Sequence, residues 1–309
     1  MAAEHYLAQV QLLLRAIPEI AREDIFALKG GTAINLFVRD LPRLSVDIDL
    51  VYLPVADRES SLSAVREGLG RIGDQLEKRL GLSVARHLLQ DGKRLVVASG
   101  DSSIKIEVSP VLRGTVFEPE VRSVSPAVEE RFGFAEMQVV SLADLYAGKL
   151  AAALDRQHPR DLFDVHFLFA NGGISEDLFR AFLVYLVSHS RPAFELLSPH
   201  RLDLSGLYGD EFIGMTVEEV PLEVLLSARD QLISGIQERA REDGAKRFLT
   251  SYHELEPDWG AIGFGAEVGE LPAVQWKRLN LERLRANNRS KFEEQIDQLH
   301  HFLDTGSSS

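Results

Sequence analysis

The stretch "LKGGTAINLFVRDLPRLSVDIDL", residues 28–50, sets a Gly-Gly-Thr turn a short distance ahead of two aspartates separated by one residue. The apolar run before it, within "DIFALKG" (24–30), ends in glycines, as a buried strand does when it enters a tight turn. Ile34, Phe37 and Val38 then recur at helical spacing behind Thr32, a candidate N-cap, so the turn leads into a short helix. From 44 to 53, Val46, Ile48 and Leu50 alternate with Asp47, Asp49 and Val51, the period of a half-buried strand. Both aspartates therefore emerge on one face of that strand.

Working outward, residues 57–80 predict a charged helix. "KRLVVAS" (93–99) and "SSIKIEVSP" (102–110) predict two strands joined by a polar turn at Gly100 and Asp101. Lys105 and Glu107 alternate with Ile104, Ile106 and Val108 and so occupy the polar face of the second strand. Ser141 and Asp144 open a helix in the manner of a capping box, with Asp in place of the usual Glu or Gln, and the alanine- and leucine-rich run extends it to about Gln157. Pro159 breaks that helix or opens the next, "PRDLFDVHFLF". From about 175 onward, helical segments are separated by glycine- and proline-bearing loops, and the terminal "TGSSS" is expected to fray. Strands followed mostly by helices make an α+β chain, with a sheet-based domain over 1–172 and a helical domain over 173–309 that part near "ANGGIS".

Composition limits the function. At 309 residues with 45% hydrophobic content, the chain can bury a substantial core and is not a disordered one. It has no cysteine, which excludes disulfides, thiolate metal sites and a cysteine nucleophile. The N-terminal 24 residues lack a basic leader and read as an amphipathic helix, and no apolar run is long enough to span a bilayer, so a cytoplasmic protein is expected. The net charge of −13 argues against a broadly basic nucleic-acid coat. Within 271–291, however, Lys277, Arg278, Arg283, Arg285, Arg289 and Lys291 face only Glu282, a local net of +5 that is either a solvated helix face or a landing strip for a polyanion. Nine scattered histidines without a metal-ligand spacing make a zinc site improbable, and Trp259 and Trp276 read as core residues before base-stacking platforms.

Two strand carboxylates at i and i+2 repel one another, and a divalent cation resolves the conflict. Mg²⁺ is held by one or two carboxylates together with substrate phosphates, and a third carboxylate on a neighbouring strand would allow a second metal ion. Glu107 is the candidate for that third position. The Gly30-Gly31-Thr32 turn offers backbone N–H groups and a hydroxyl to phosphate oxygens. These parts together describe metal-assisted phosphoryl or nucleotidyl transfer.

"KGGTA" followed by "RLSVDIDL" resembles the signature of the polymerase-β nucleotidyltransferase superfamily. Arg43-x-Ser45-x-Asp47-x-Asp49 is similar to its AbiEii/AbiGii (MenT-like) toxin branch. "KLAAALDRQHPRDLFDV" matches a later motif of that branch through Lys149, Arg156, Arg160, Asp161 and Asp164. The resemblance covers residues 25–170 well and implies a polymerase-β-type core, a short mixed sheet with flanking helices, followed by a mainly helical domain. It implies transfer of a nucleotide from an NTP to the 3′ end of tRNA, with Mg²⁺ or Mn²⁺, by the toxin of a toxin–antitoxin or phage-defence system neutralised by a separately encoded antitoxin. Asp47, Asp49 and Glu107 would hold the metal, with Glu107 orienting or deprotonating the incoming hydroxyl. Gly30, Gly31, Thr32, Lys149, Arg156 and Arg160 would bind the nucleotide, and Lys149, Arg156, Asp161 and Asp164 would complete the catalytic set. The residues themselves leave other readings open: Lys149 and Arg156 on a solvated helix face, Asp161 as a cap after Pro159, and Arg160 as an ion-pair partner. Two other functions also stand, a nucleotidyltransferase for a small molecule such as an antibiotic and an inactive binding module.

Overall fold

The computed structural model describes residues 2–88 and 93–305. By compactness the chain forms two units, one of residues 1–141 with 214–219 and one of 142–213 with 220–309. This division falls ahead of the 172/173 boundary expected from the sequence.

The first unit carries a seven-stranded mixed sheet. Its strands are β1 (Phe26–Lys29), β2 (Asp47–Tyr52), β3 (Ser83–Leu88), β4 (Lys93–Ser99), β5 (Ser102–Arg113), β6 (Glu120–Ser123) and β7 (Glu136–Val139), in the order β3-β4-β5-β2-β1-β7-β6. β2 runs parallel to β5 and β1 parallel to β7; the remaining pairs are antiparallel. The expected strands at 24–30, 44–53, 93–99 and 102–110 are all present. β3, β6 and β7 were not expected: β6 is four residues long and largely exposed, β7 is equally short, and neither gives alternation enough room to register.

One face of the central strands is apolar. Leu28 pairs with Leu50, Ile48 with Ile106 and Leu50 with Val108, and all five are buried. The helices of this unit are α1 (Ala2–Ile20), α2 (Gly30–Thr32, continuing as a π-helix over Ala33–Val38), α3 (Arg58–Leu80) and α4 (Pro126–Phe132). α3 begins where the Asp57 carboxylate accepts from Ser60 N at 3.0 Å and ends at Gly81, whose φ of 65° completes a left-handed cap. It approaches the sheet closely at Gly68, where a Cβ would stand 2.8 Å from the Phe26 ring. Residues 214–219 join this unit from far along the chain. Arg43 and Thr216 form a β-bridge, and Leu44 N donates to Met215 O at 2.8 Å, which fixes the segment leading into β2.

The second unit is helical: α5 (Leu142–Arg156), α6 (Pro159–Ala170), α7 (Glu176–Ser188), α8 (Ala193–Leu197), α9 (Ser205–Glu211), α10 (Leu222–Ala240), α11 (Asp243–His253), α12 (Pro272–Asn287) and α13 (Arg289–Asp304). α5 belongs here because it packs along α7. Tyr185 Oη donates to the buried Asp144 carboxylate at 3.1 Å, and the missing side chain of Gly148 leaves room for the Tyr185 ring. Phe248, Tyr252 and Trp259 form an aromatic cluster, with ring centroids 5.0 Å apart for Phe248 and Trp259. Trp259 is a core residue as expected, whereas Trp276 is 52% exposed.

Lys277 corrects the reading of 271–291 as one basic strip. Its side chain turns inward, and its ammonium donates to the carbonyls of His189, Ser190 and Arg191 at 2.8, 3.3 and 2.8 Å, covering the end of α7. Those carbonyls follow a helix C-terminus, where acceptors lack intrahelical donors and positive charge is favoured. Of the expected frayed "TGSSS", Gly306 to Ser309 lie outside the described residues. Among the described residues, no helix is long and apolar enough to cross a membrane.

Candidate active site

Lys29 ends β1 in an extended conformation, and Gly30 turns the chain with φ 76°, a left-handed value that an L side chain resists. Space as well as torsion demands glycine at this turn. A Cβ on Gly30 would stand 2.5 Å from Asp49 Oδ2, and one on Gly31 would stand 2.7 Å from Arg43 Nη2 and 2.9 Å from Ser45 Oγ. The Arg43-x-Ser45-x-Asp47-x-Asp49 pattern thus lays three of its four named side chains or their neighbours against the turn.

Thr32 does not serve as an N-cap. It lies inside the helix, fully buried, and its hydroxyl donates to Asp47 O at 2.5 Å with Ser45 Oγ at 3.1 Å. The hydroxyl therefore ties the helix to the start of β2 and fixes the height of Asp47. Asn35 Nδ2 donates to Gly31 O at 2.8 Å and steadies the turn from the following helical residues.

Strand register places the carboxylates. Asp49 pairs with Glu107 across the parallel β2–β5 ladder and with Lys29 across the antiparallel β1–β2 ladder, while Asp47 pairs with Lys105. Residues paired in register share a face, so Asp47, Asp49 and Glu107 lie on one face, opposite the apolar one. Asp47 and Asp49 are half-buried, and the Glu107 side chain is 45% exposed with its Oε1 3.5 Å from Arg94 Nη1. Among the described residues, no three His, Asp or Glu side chains already converge on a metal position. The donor set still fits a magnesium ion, because two neighbouring carboxylates suffice when substrate phosphates and water supply the other oxygens.

The second unit gathers Lys149, Arg156, Asp161 and Asp164. Lys149 is 8% exposed and its Nζ lies 2.7 Å from Asp161 Oδ1 and 3.0 Å from Asp164 Oδ2, both aspartates being 1% exposed. Arg156 Nε donates to Asp161 Oδ2 at 2.6 Å while its side chain stays 62% exposed. Burial pushes the Asp161 carboxyl up, but the charge of Lys149 and the hydrogen bond from Arg156 outweigh it and hold the group well below the usual carboxylate range. The solvated-face reading of Lys149 is thereby overturned: α5 and α6 clasp each other through a buried ion cluster, and only Arg156 reaches outward.

Asp161 is also not the cap of α6. Pro159 opens that helix as expected, His158 is the N-cap with Nδ1 accepting from Arg160 N at 3.1 Å, and Nε2 meets Glu211 at 3.0 Å. Arg160 is directed to the same Glu211 carboxylate at 3.6 Å, an ion-pair role. The bend between α5 and α6 rests on Gln157, at φ 48° and 2% exposed. Its amide donates to His200 O at 2.7 Å, and its oxygen accepts from Leu202 N and Arg229 Nη1, both at 3.1 Å. No spacing signal marks Gln157, Arg94 or Lys29 in the sequence, because their partners come from other elements.

A glycine turn thus stands against two strand aspartates with a third carboxylate in register, on an α+β chain of the nucleotidyltransferase class. The chain belongs to the AbiEii nucleotidyltransferase toxins of type IV toxin–antitoxin systems, whose family description matches residues 11–278. Among solved structures, it is similar to MenT4, the nucleotidyltransferase toxin Rv2826c from Mycobacterium tuberculosis H37Rv. The two share 17% identity with a TM-score of 0.56, over 96% of this chain and 93% of that one. This likeness supports the fold. No curated protein sequence matches the chain. Membership in a type IV system makes a separately encoded antitoxin its partner.

Proposed function

We propose that this toxin transfers a nucleotide from an NTP to the 3′ end of tRNA in a Mg²⁺-dependent reaction, acting in the cytoplasm where both substrates occur. The observation that carries the reading is the register of Asp49 with Glu107, beside Asp47 and against the Gly30-Gly31 turn. The metal, held by Asp47 and Asp49, would polarise the phosphates and stabilise charge on the attacking and leaving oxygens. The turn's backbone N–H groups and Lys29 bind the triphosphate. The acceptor hydroxyl oxygen forms a bond to the α-phosphorus, the bond from that phosphorus to the α–β bridging oxygen breaks, and pyrophosphate leaves with the electron pair. Glu107 takes the hydroxyl proton. In the second unit, Lys149, Asp161 and Asp164 fix the exposed Arg156 guanidinium, which is the group of that cluster able to face a phosphate.

The test is incubation of the purified chain with total tRNA, Mg²⁺ and each labelled NTP in turn, followed by a denaturing gel, with Asp47→Ala and Asp49→Ala alongside. Label on tRNA that disappears with EDTA and in both variants, while their circular dichroism spectra stay native, is the expected result. Transfer retained in Asp47→Ala would remove the metal assignment. Nucleotide binding by the wild type without label on any RNA would point to a small-molecule acceptor.

A further inference from the structure

Four residues on four adjacent strands form one row across the polar face of the sheet: Lys29 on β1, Asp49 on β2, Glu107 on β5 and Arg94 on β4. Their charges run positive, negative, negative, positive. With strands roughly 4.8 Å apart, the backbone positions of the two basic residues lie about 14 Å apart along the row, with those of the two acidic residues between them.

The ends of this row differ. Lys29 leads directly into Gly30 and Gly31, so its end is the one lined by turn amides. Arg94 stands at the other end beside Glu107, its side chain 33% exposed and its Nη1 3.5 Å from the Glu107 carboxylate. Its Nε is buried and has no hydrogen-bond partner among the described residues. Because that Nε is buried, an oxyanion would meet the Nη groups of the one-third-exposed guanidinium beside the half-open Glu107 carboxylate, and a guanidinium is suited to an oxyanion that can take more than one N–H group.

We propose that Arg94 binds a backbone phosphate of the RNA acceptor, next to the 3′-terminal hydroxyl that is to react. This rests on the nucleotidyl-transfer reading above. In phosphoryl transfer the attacking and leaving oxygens lie roughly in line on opposite sides of the phosphorus. A triphosphate seated at the turn directs its leaving pyrophosphate toward the Lys29 end, so the hydroxyl arrives over Glu107. Arg94 is the cation paired with Glu107 in register, whereas Lys105 on the same face pairs with Asp47. A phosphate on Arg94 also competes with Glu107 for the guanidinium, which leaves the carboxylate free to accept the proton of the hydroxyl. Lys29 and Arg94 thus divide the two substrates between them, and Arg94 is a binding residue for RNA alone.

The experiment compares wild type, Arg94→Gln, Arg94→Lys and Lys29→Gln, measuring KM for tRNA, KM for the NTP, and tRNA affinity as a function of salt. Removing one charge-assisted phosphate contact should raise the tRNA KM about tenfold and lower the slope of log affinity against log salt by about one. Arg94→Gln should leave the NTP KM within about twofold, Arg94→Lys should recover part of the loss because it keeps the charge without the fork, and Lys29→Gln should raise the NTP KM instead. An Arg94→Gln enzyme that keeps the wild-type tRNA KM and salt slope overturns the assignment, as does one whose main change is in the NTP KM. Those results are read against a wild type that labels RNA. A wild type that labels no RNA, and binds tRNA without salt dependence, overturns the acceptor reading and this assignment together.

Discussion

Lys149→Met tests the buried cluster most directly. The substitution removes the ammonium that lies 2.7 Å from Asp161 and 3.0 Å from Asp164, and leaves both carboxylates at 1% exposure, Asp161 still beside Arg156. Breaking a buried ion pair by deleting one partner costs about 3–5 kcal/mol, because an uncompensated charge stays out of water. At about 2–4 °C per kcal/mol, the melting transition of the helical unit should fall by roughly 6–20 °C. The pH dependence supplies a second sign. Asp161 is held well below the usual carboxylate range in the folded wild type, so its stabilisation is fully present above the unfolded carboxylate value near ~4 and is lost as pH falls toward the folded one. In Lys149→Met the buried Asp161 carboxylate, having lost the charge that held it down, protonates more readily, so the stability gap to wild type should narrow below about pH 4. Urea unfolding followed by circular dichroism at pH 7 and in acid measures both. A variant within about 1 kcal/mol of wild type at pH 7, or a gap that stays constant into acid, would refute the account of the cluster. Transfer activity alone cannot make this distinction, since a lysine acting on phosphate and a lysine holding α5 to α6 both predict its loss.

His253 gives a separate acid response. Burial pushes its imidazole down to about 4, with Nδ1 2.8 Å from Leu249 O, so the folded chain keeps it neutral while the unfolded chain takes up a proton below about 6.5. Stability should therefore fall by about 3 kcal/mol as pH drops from 6.5 to 4, and His253→Phe should flatten that part of the profile in urea titrations; an unchanged profile contradicts it. Lys277→Met should destabilise the helical unit by about 1–3 kcal/mol through the loss of three carbonyl contacts at the end of α7, measured by the urea midpoint. If Lys277 instead only covered a solvated face, the midpoint would not move.

The strand that carries the two aspartates was legible because its alternation is strict. Val46, Ile48 and Leu50 set the phase, and a period of two fixes which side chains share a face, so Asp47 and Asp49 were placed before any partner strand was known. Glu107 was legible for the same reason, as the polar position between Ile106 and Val108. The register that sets it opposite Asp49, and Arg94 beyond it, was not, because pairing across a ladder joins residues far apart in sequence. Thr32 misled for a local reason. Its position after two glycines suits a cap, but the helix begins at Gly30 and burial gives the hydroxyl an acceptor on β2. Lys277 misled because a run of basic residues carries no sign of which side chain turns toward a helix end.

By itself, the sequence determined the glycine turn, the paired aspartates, the third carboxylate and the α+β order of elements, since each follows from periodicity or from the torsions that glycine and proline permit. Only the tertiary structure decided which charges neutralise one another. It buried Lys149 between two aspartates, brought residues 214–219 onto the segment before β2, and ordered Lys29, Asp49, Glu107 and Arg94 into one row. Electrostatic and hydrogen-bond partners are chosen by distance in space, and neighbours along a chain do not specify that distance.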